Sequence, residues 1–274
     1  MTLSNTIEGT TAQRDQPTTD VSNALSKVPK VMLAFWVVKI LATTIGETGG
    51  DALSMTLNLG YAVSSVIFLT FFLVTLVMQV RSRHYHPVFY WLVVVATTTV
   101  GTTTSDYFDR TLGLGYINSS IILLAAVIAV LMAWRAATGA VKVDQITTRT
   151  NEIFYWITIL ISNTLGTALG DFVATDLGLG FERGALVFGG LIAIVAIVHV
   201  STKVPGSILF WAAYVLTRPL GATLGDLLTK PSADGGLNFG RITTSLVMAA
   251  AMIVLVAGTS LRHRLRPPAS EPAL

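Results

Sequence analysis

Four aspartates recur at the same place in an internal repeat, and residues of this type and spacing could bind a cation. In each copy a tryptophan is followed ten residues later by a glycine, and five residues after that by an aspartate. The tryptophans are Trp36, Trp91, Trp156 and Trp211, the glycines are Gly46, Gly101, Gly166 and Gly221, and the aspartates are Asp51, Asp106, Asp171 and Asp226. Rings of carboxylates are a known means of selecting cations. We therefore interpret the four aspartates as candidate ligands of a cation, metal ions included.

Threonines accompany these aspartates at helical spacing. Thr44 and Thr48 precede Asp51 by seven and three residues, which places all three on one face of a helix. The corresponding positions of the other copies hold Thr99, Thr103, Thr164 and Thr223, together with Ala168 and Pro219. Such hydroxyls would replace part of the hydration shell of a cation. The structural alternative is that the threonines bond to their own backbone and that each aspartate caps a turn.

Three charged residues break the four-fold pattern. Glu47 lies four residues before Asp51 on the same helical face, so we expect it to add a carboxylate to the site. Arg218, beside Pro219, is either a counter-ion to Glu47 or to a motif aspartate, or a side chain that extends to the membrane interface. Lys39 lies well inside the first apolar segment, and we expect its side chain to extend to the membrane interface.

An aromatic residue precedes each repeated tryptophan. These neighbours are Phe35, Tyr90, Tyr155 and Phe210. Tryptophan and tyrosine are enriched where a membrane meets water, so the pairs predict an interfacial belt. The alternative is a platform for an organic cation, which aromatic faces attract.

The composition excludes several classes of protein. Of the 274 residues 52% are hydrophobic and 12% are charged, against about 25% charged in a typical globular chain. Together with a net charge of +3, this excludes a disordered protein, a nucleic-acid-binding domain and an ordinary soluble enzyme. Cysteine is absent, and hydrolase, Walker A, zinc-protease and dinucleotide motifs are also missing. We expect no enzymatic activity and no cofactor.

The repeated residues lie on or beside eight apolar segments, which must position them. Each segment is close in length to the roughly 20 residues that a helix needs to span a bilayer. They cover about 31–53, 60–80, 88–107, 116–134, 153–174, 184–202, 206–228 and 241–261. The fold class expected is therefore all-α and transmembrane. The expected organisation is a disordered tail (1–26), a membrane domain (27–262) with repeats at about 29–83, 84–138, 149–203 and 204–262, and a second tail (263–274).

Lysines and arginines between the segments predict the orientation, because cytoplasmic loops are enriched in them. One side would carry eleven, namely Lys27, Lys30, Arg81, Arg83, Arg135, Lys142, Arg149, Lys203, Arg262, Arg264 and Arg266. The other would carry four, namely Arg110, Arg183, Lys230 and Arg241. Both termini are thus expected in the cytoplasm.

The repeated tryptophans are 55, 65 and 55 residues apart, so the four copies pair as one–two and three–four. Each copy holds two spans, so all enter the membrane in the same direction, as parallel repeats about an axis along its normal. This pattern resembles a bacterial family of unknown function, described as membrane-anchored proteins, with four tandem two-helix repeats that each carry a marked tryptophan. The resemblance covers about 27–262 and implies the fold and topology, with location in the bacterial inner membrane, but no activity.

The functional hypothesis from these residues is a transporter or channel for a hard cation such as a divalent metal ion, Na⁺ or H⁺. Its expected partners are the lipid bilayer and a small cation, without nucleic acid. Two alternatives stay open: a membrane scaffold or regulatory subunit that transports nothing, and a transporter of small organic cations.

Overall fold

The computed structural model describes residues 29, 31–82, 85–141 and 146–265, with side chains up to 261. Within these ranges the chain forms eight long helices and no strand. They are α1 (Leu33–Asp51), α2 (Gly60–Arg81), α3 (Pro87–Asp106), α4 (Tyr116–Thr138), α5 (Arg149–Asp171), α6 (Gly180–Ser201), α7 (Gly206–Thr229) and α8 (Arg241–Leu265). The expected all-α fold of four two-helix repeats is confirmed.

The first helices of the four repeats form a closed inner ring. In this ring α1 packs against α3 and α7, and α5 packs against the same two helices from the opposite side. The second helices lie outside, each against the inner helix of the following repeat: α2 on α3, α4 on α5, α6 on α7 and α8 on α1. The last contact joins the fourth repeat to the first, so the arrangement is cyclic.

The motif glycines set the close approach of the inner helices. A Cβ atom at any of the four would overlap the next helix of the ring or come within 2.9 Å of it. The contacts are Gly46 with Thr98, Gly101 with Asn163, Gly166 with Arg218, and Gly221 with Thr43. Because Thr43, Thr98, Asn163 and Arg218 all stand three residues before a motif glycine, the four inner helices lie at the same level.

Local sequence explains where several helices begin. Pro87 occupies the first turn of α3, where its missing N–H costs nothing. The hydroxyl of Thr148 caps α5 by accepting from the amide of Asn151. Each outer helix begins at or just after a glycine with a positive φ of 72–79°, which L-residues rarely adopt. These glycines are Gly60, Gly115, Gly180 and Gly240.

Seven of the eight helices are long and apolar enough to cross a membrane. The remaining one, α1, is less apolar because it contains Lys39 and Glu47, but it lies beside α3 and α7 at the same level. The outer helices expose large apolar side chains such as Val66, Ile121 and Leu186, whereas the inner helices are mostly buried. The protein is therefore a multi-pass membrane protein with an apolar outer surface.

The aromatic pairs form a packed layer inside one end of the ring, which corrects the expected interfacial belt. The aromatic residue of each repeat contacts the tryptophan of the next. The ring centroids are 5.6 Å apart for Phe35 and Trp91, 5.7 Å for Tyr90 and Trp156, 6.1 Å for Tyr155 and Trp211, and 5.6 Å for Phe210 and Trp36. The belt prediction fails because cyclic closure turns these side chains inward, where Trp156 is only 2% exposed.

Candidate functional site

The four motif aspartates lie at the end of the ring opposite the aromatic layer. Asp51, Asp106 and Asp171 are the last residues of α1, α3 and α5, and Asp226 lies near the end of α7. None is more than 3% exposed. They are divided into two pairs, each joined by a basic side chain.

Lys230 joins the first pair. Its ammonium lies 2.9 Å from Asp51 Oδ2 and 3.2 Å from Asp226 Oδ1, and Arg241 Nε lies 3.3 Å from Asp51 Oδ2. Lys230 directly follows α7, in a segment whose later amides, at Leu237 and Phe239, bond back to carbonyls at the end of that helix. This segment therefore holds the ammonium over the two carboxylates.

The protonated form of Lys230 is favoured by these contacts. Burial alone would lower the pKa of Lys230, but the carboxylates of Asp226 and Asp51 outweigh it and raise this pKa above the usual lysine value. The side chain is accordingly a fixed positive charge at neutral pH.

Arg110 joins the second pair. Its guanidinium lies 3.1 Å from Asp106 Oδ1 and 3.2 Å from Asp171 Oδ2. Arg110 belongs to a π-helical turn, Tyr107–Thr111, that continues α3 and keeps this side chain on the face of Asp106. Similar turns, Ala52–Thr56 and Phe172–Asp176, follow α1 and α5.

A third ion pair lies on the axis of the ring, between the aspartates and the aromatic layer. Arg218 Nη2 is 2.9 Å from Glu47 Oε2, and neither residue is more than 3% exposed. Of the two alternatives for Arg218, the structure therefore shows the counter-ion contact with Glu47.

The same guanidinium nitrogen of Arg218 also donates to the hydroxyls of Thr102 and Thr167. Glu47, Thr102 and Thr167 each directly follow a motif glycine, so one arginine contacts three inner helices at equivalent positions. Neither threonine was predicted from its position in the sequence, although the polar residue that follows the motif glycine in three copies marks both of them. In the fourth copy this position is Ala222.

Lys39 lies in the interior, which corrects the expectation that it extends to an interface. It is fully buried, donates to Asn163 Oδ1 at 3.3 Å, and stands 4.2 Å from the ring centre of Tyr214. Asn163 in turn donates to the hydroxyl of Thr97 at 2.9 Å. The ring fixes this arrangement, because Lys39 and Tyr214 both lie seven residues before a motif glycine on neighbouring helices.

The threonines that precede the motif aspartates at helical spacing, called here the threonine stripe, do not line the axis. The hydroxyls of Thr44, Thr99, Thr103, Thr164 and Thr223 donate to carbonyls of their own helices. Thr48 instead contacts Ser245 of α8, with 2.7 Å between the hydroxyl oxygens. Thr223 packs beside Gly184 of α6, and Thr164 lines an outward groove of about 320 Å³ with Ser65 of α2 and Leu123 of α4. The expected role of the stripe in replacing hydration therefore lacks a geometric basis.

One group of carboxylates has the geometry to hold a metal ion. One oxygen each of Glu47, Asp51 and Asp226 lies within 4.8 Å of the others. Asp106 and Asp171 lie outside this group, although all four aspartates lie at the same end of the ring. Arg110 and Lys230 join the aspartates in two pairs, so Asp51 and Asp226 are the two predicted ligands that this group contains. The group joins α1 to α7, and its oxygen ligands suit hard cations.

Comparison with known proteins agrees with the repeated architecture. A family model described as "Repeat of Unknown Function (DUF347)" matches the chain four times in tandem, at 34–85, 89–139, 154–204 and 209–264. No curated protein and no solved structure matches the chain. Each matched segment contains one inner helix with its tryptophan, glycine and aspartate, followed by one outer helix. Since these matches cover most of the sequence, the chain belongs to the DUF347 repeat family.

Proposed function

We propose that this protein is a membrane transporter for a hard cation, which binds between Glu47, Asp51 and Asp226. The proposal rests on the one observation that these buried carboxylates lie within 4.8 Å of one another. A carboxylate within a bilayer costs about 2.5–3.5 kcal/mol on insertion scales, so three of them need positive charge close by. Carboxylate oxygens are the preferred ligands of Mg²⁺, Ca²⁺ and Mn²⁺.

The protein itself supplies that positive charge in the structure. Arg218 contacts Glu47, while Lys230 contacts both aspartates and Arg241 contacts Asp51. An entering cation would therefore replace an internal ammonium or guanidinium, and these basic side chains would be the competitors that set its affinity.

A carrier mechanism fits this arrangement better than an open channel. The axis is filled by the aromatic layer at one end and by Arg218 between that layer and the aspartates. Passage of an ion would require the inner helices to move, as in alternating access. The distribution of basic residues supports an orientation in the bacterial inner membrane with the aromatic layer and both termini towards the cytoplasm.

A scaffold function without transport is the second candidate. It is favoured by the fact that each motif aspartate already has a basic partner, so the ion pairs could serve only to join the helices. No comparable observation favours an organic cation, because the aromatic side chains pack on one another.

Transport by the purified protein in liposomes separates the two candidates. Uptake of Mn²⁺, Mg²⁺, Ca²⁺ and Na⁺ is measured for the wild type, for Asp51→Asn and Asp226→Asn, and for the control Asp234→Asn, an exposed position after α7. We expect uptake of at least one cation, its loss in the first two variants, and wild-type uptake in the control. A wild type that carries none of these ions favours the scaffold, and uptake unchanged by Asp51→Asn and Asp226→Asn refutes the carboxylate mechanism.

A further inference from the structure

The ion pairs of the inner ring join its helices two by two. Arg218 of α7 and Lys230, directly after it, join α7 to α1 through Glu47 and Asp51. Arg110 joins α3 to α5. Within the part of the chain that the structure describes, no ion pair joins α1 to α3 or α5 to α7. The ring is therefore held by charge across two of its four helix boundaries and not across the other two.

The outer helices extend this division to the whole bundle. Each packs on the inner helix of the following repeat, so α2 and α4 lie on α3 and α5, whereas α8 and α6 lie on α1 and α7. We call α2–α5 the central body, and α1 together with α6–α8 the flanking body. The central body is one continuous stretch of chain, from Gly60 to Asp171.

The chain passes between the two bodies at two connections, 52–59 and 172–179. Both contain a π-helical turn, a local geometry that often marks functional sites. They belong to the first and third repeats, which have Met55 and Thr175 in place of the basic residue of the other two repeats. The connections therefore lack the ion pairs that hold the corresponding segments inside each body.

The contacts between the bodies involve a neutral group on at least one side. Between α1 and α3, the hydroxyl of Thr102 donates to a carbonyl of α1 at 3.1 Å. Lys39 of α1 donates to the amide oxygen of Asn163 of α5 at 3.3 Å. Arg218 of α7 donates to the hydroxyls of Thr102 and Thr167, on the two inner helices of the central body. Hydrogen bonds to neutral groups separate at lower cost than buried ion pairs.

The aromatic layer shows the same division. Within the central body the hydroxyls of Tyr90 and Tyr155 bond to each other, with 2.7 Å between the oxygens. Across the boundaries between the bodies, the repeated aromatic residues meet by ring contacts, Phe35 with Trp91 and Tyr155 with Trp211. Rings can part without leaving a polar group unpaired. The layer can therefore open between the bodies while the hydrogen bond of the central body is kept.

The proposed cation site lies wholly within the flanking body, because Glu47 and Asp51 belong to α1 and Asp226 belongs to α7. We propose that transport proceeds by rocking of the flanking body against the central body about the two connections. The boundaries α1–α3 and α5–α7 open in turn at the aspartate end and at the aromatic end, while the site stays assembled. This proposal rests on the proposed function and states which helices move.

Two consecutive residues of α7 test the division, and the absence of cysteine from the chain removes any background. Ala222 and Thr223 are each 1% exposed. Ala222 faces the central body, since a Cβ at Gly170 of α5 would lie 3.2 Å from its Cβ. Thr223 faces α6 of its own body, and its Cβ lies 3.8 Å from that of an alanine at Gly184.

Thiol modification in liposomes shows whether the bodies separate, and it requires no cation. We expect a water-soluble methanethiosulfonate reagent to modify Ala222→Cys and to leave Thr223→Cys unmodified, because only the first position is reached when the boundary opens. Equal modification of the two variants, or protection of both, overturns the proposal.

Cross-linking shows whether this movement carries the cation. Gly170→Cys with Ala222→Cys links the two bodies, and Gly184→Cys with Thr223→Cys links α6 to α7 within one body. Both Cβ separations are near the roughly 3.5–4.5 Å of disulfides. Oxidation should abolish Mn²⁺ uptake in the first paired variant, and dithiothreitol should restore it, whereas uptake by the second should be unchanged. Uptake that survives cross-linking of the bodies, or is lost in both variants, overturns the proposal.

Failure of the proposed function gives a different result. If neither the wild type nor the reduced variants take up any cation tested, cation transport fails, while thiol modification still decides whether the bodies separate. Thiol modification of the single variants also decides the case if a paired variant does not fold.

Discussion

Arg110 and Lys230 occupy the same position of the second and fourth repeats, nine residues after the motif glycine, and each joins two aspartates. Each contacts the aspartate of its own repeat and that of the next repeat around the ring. The first and third repeats have Met55 and Thr175 at this position. The four-fold ring of helices therefore carries a two-fold arrangement of charges.

Replacing Lys230 by methionine, the residue of the first repeat, should destabilise the protein and increase its response to cations. The change leaves Asp51 and Asp226 without their shared ammonium, and breaking a buried pair in this way costs about 3–5 kcal/mol. Thermal unfolding in detergent should show a lower Tm that added Ca²⁺ or Mn²⁺ raises more than in the wild type. An equal response in both proteins would contradict a cation site at these carboxylates.

The contributions of Glu47 and Arg218, the ion pair on the axis, to the free energy of unfolding should depend on each other. Glu47→Gln leaves the guanidinium of Arg218 buried without a counter-charge, so we expect a loss of about 3–5 kcal/mol. The double variant Glu47→Gln with Arg218→Gln should be less destabilised than the sum of the single variants. Unfolding of the four proteins by denaturant measures this coupling, and strictly additive values would show that the pair contributes nothing.

Gly166→Ala should disturb the same ion pair without changing a charge. The added Cβ would overlap the side chain of Arg218, and overpacking of this kind typically costs about 1–3 kcal/mol. Gly190→Ala is a matched control, because a Cβ at Gly190 of α6 meets no atom within 4 Å. We expect a lower Tm for the first variant only, and equal values for both would contradict the close approach of α5 and α7.

The stabilisation from Lys230 should be lost only in strongly alkaline solution. Burial lowers the pKa of Lys230, but Asp226 and Asp51 raise it by more, so its folded pKa exceeds the unfolded value. Such a group stabilises fully below the unfolded lysine pKa of about 10.4 and loses its contribution as the pH rises through the folded value. The Tm difference between wild type and Lys230→Met should thus be constant from pH 6 to about 9 and shrink above about pH 10.4. A difference that already falls between pH 6 and 8 would refute this assignment.

The sequence predicted the architecture because repetition constrains it strongly. Four copies of a two-segment unit require parallel insertion, and the motif glycines indicate close helix packing, as Gly46 and Gly166 show. The basic partners of the aspartates were not predictable in the same way. Lys230 meets Asp51 only because the fourth repeat closes on the first, a contact that no local spacing reveals.

The threonine stripe and the aromatic pairs were misinterpreted for a related physical reason. Helical spacing shows that Thr44, Thr48 and Asp51 share a face, but it does not show which neighbour that face meets. In the ring Thr48 turns towards the outer helix α8, while Glu47 points at the axis. Likewise, Trp156 is of a residue type that is common at membrane interfaces, but Tyr90 of the preceding repeat packs against it inside the ring.

The packing of each outer helix on the following repeat has a consequence for biogenesis. During synthesis α1 enters the bilayer with Lys39 and Glu47, but Arg218 and Tyr214 arrive only with α7, and α8 covers α1 last. In a nascent chain, Lys39 and Glu47 therefore lack these contacts with α7 until nearly all the segments are inserted. The final helix closes the bundle by packing on α1. Chains truncated before this helix would leave α1 uncovered, and we expect proteases that degrade unassembled membrane segments to recognise them.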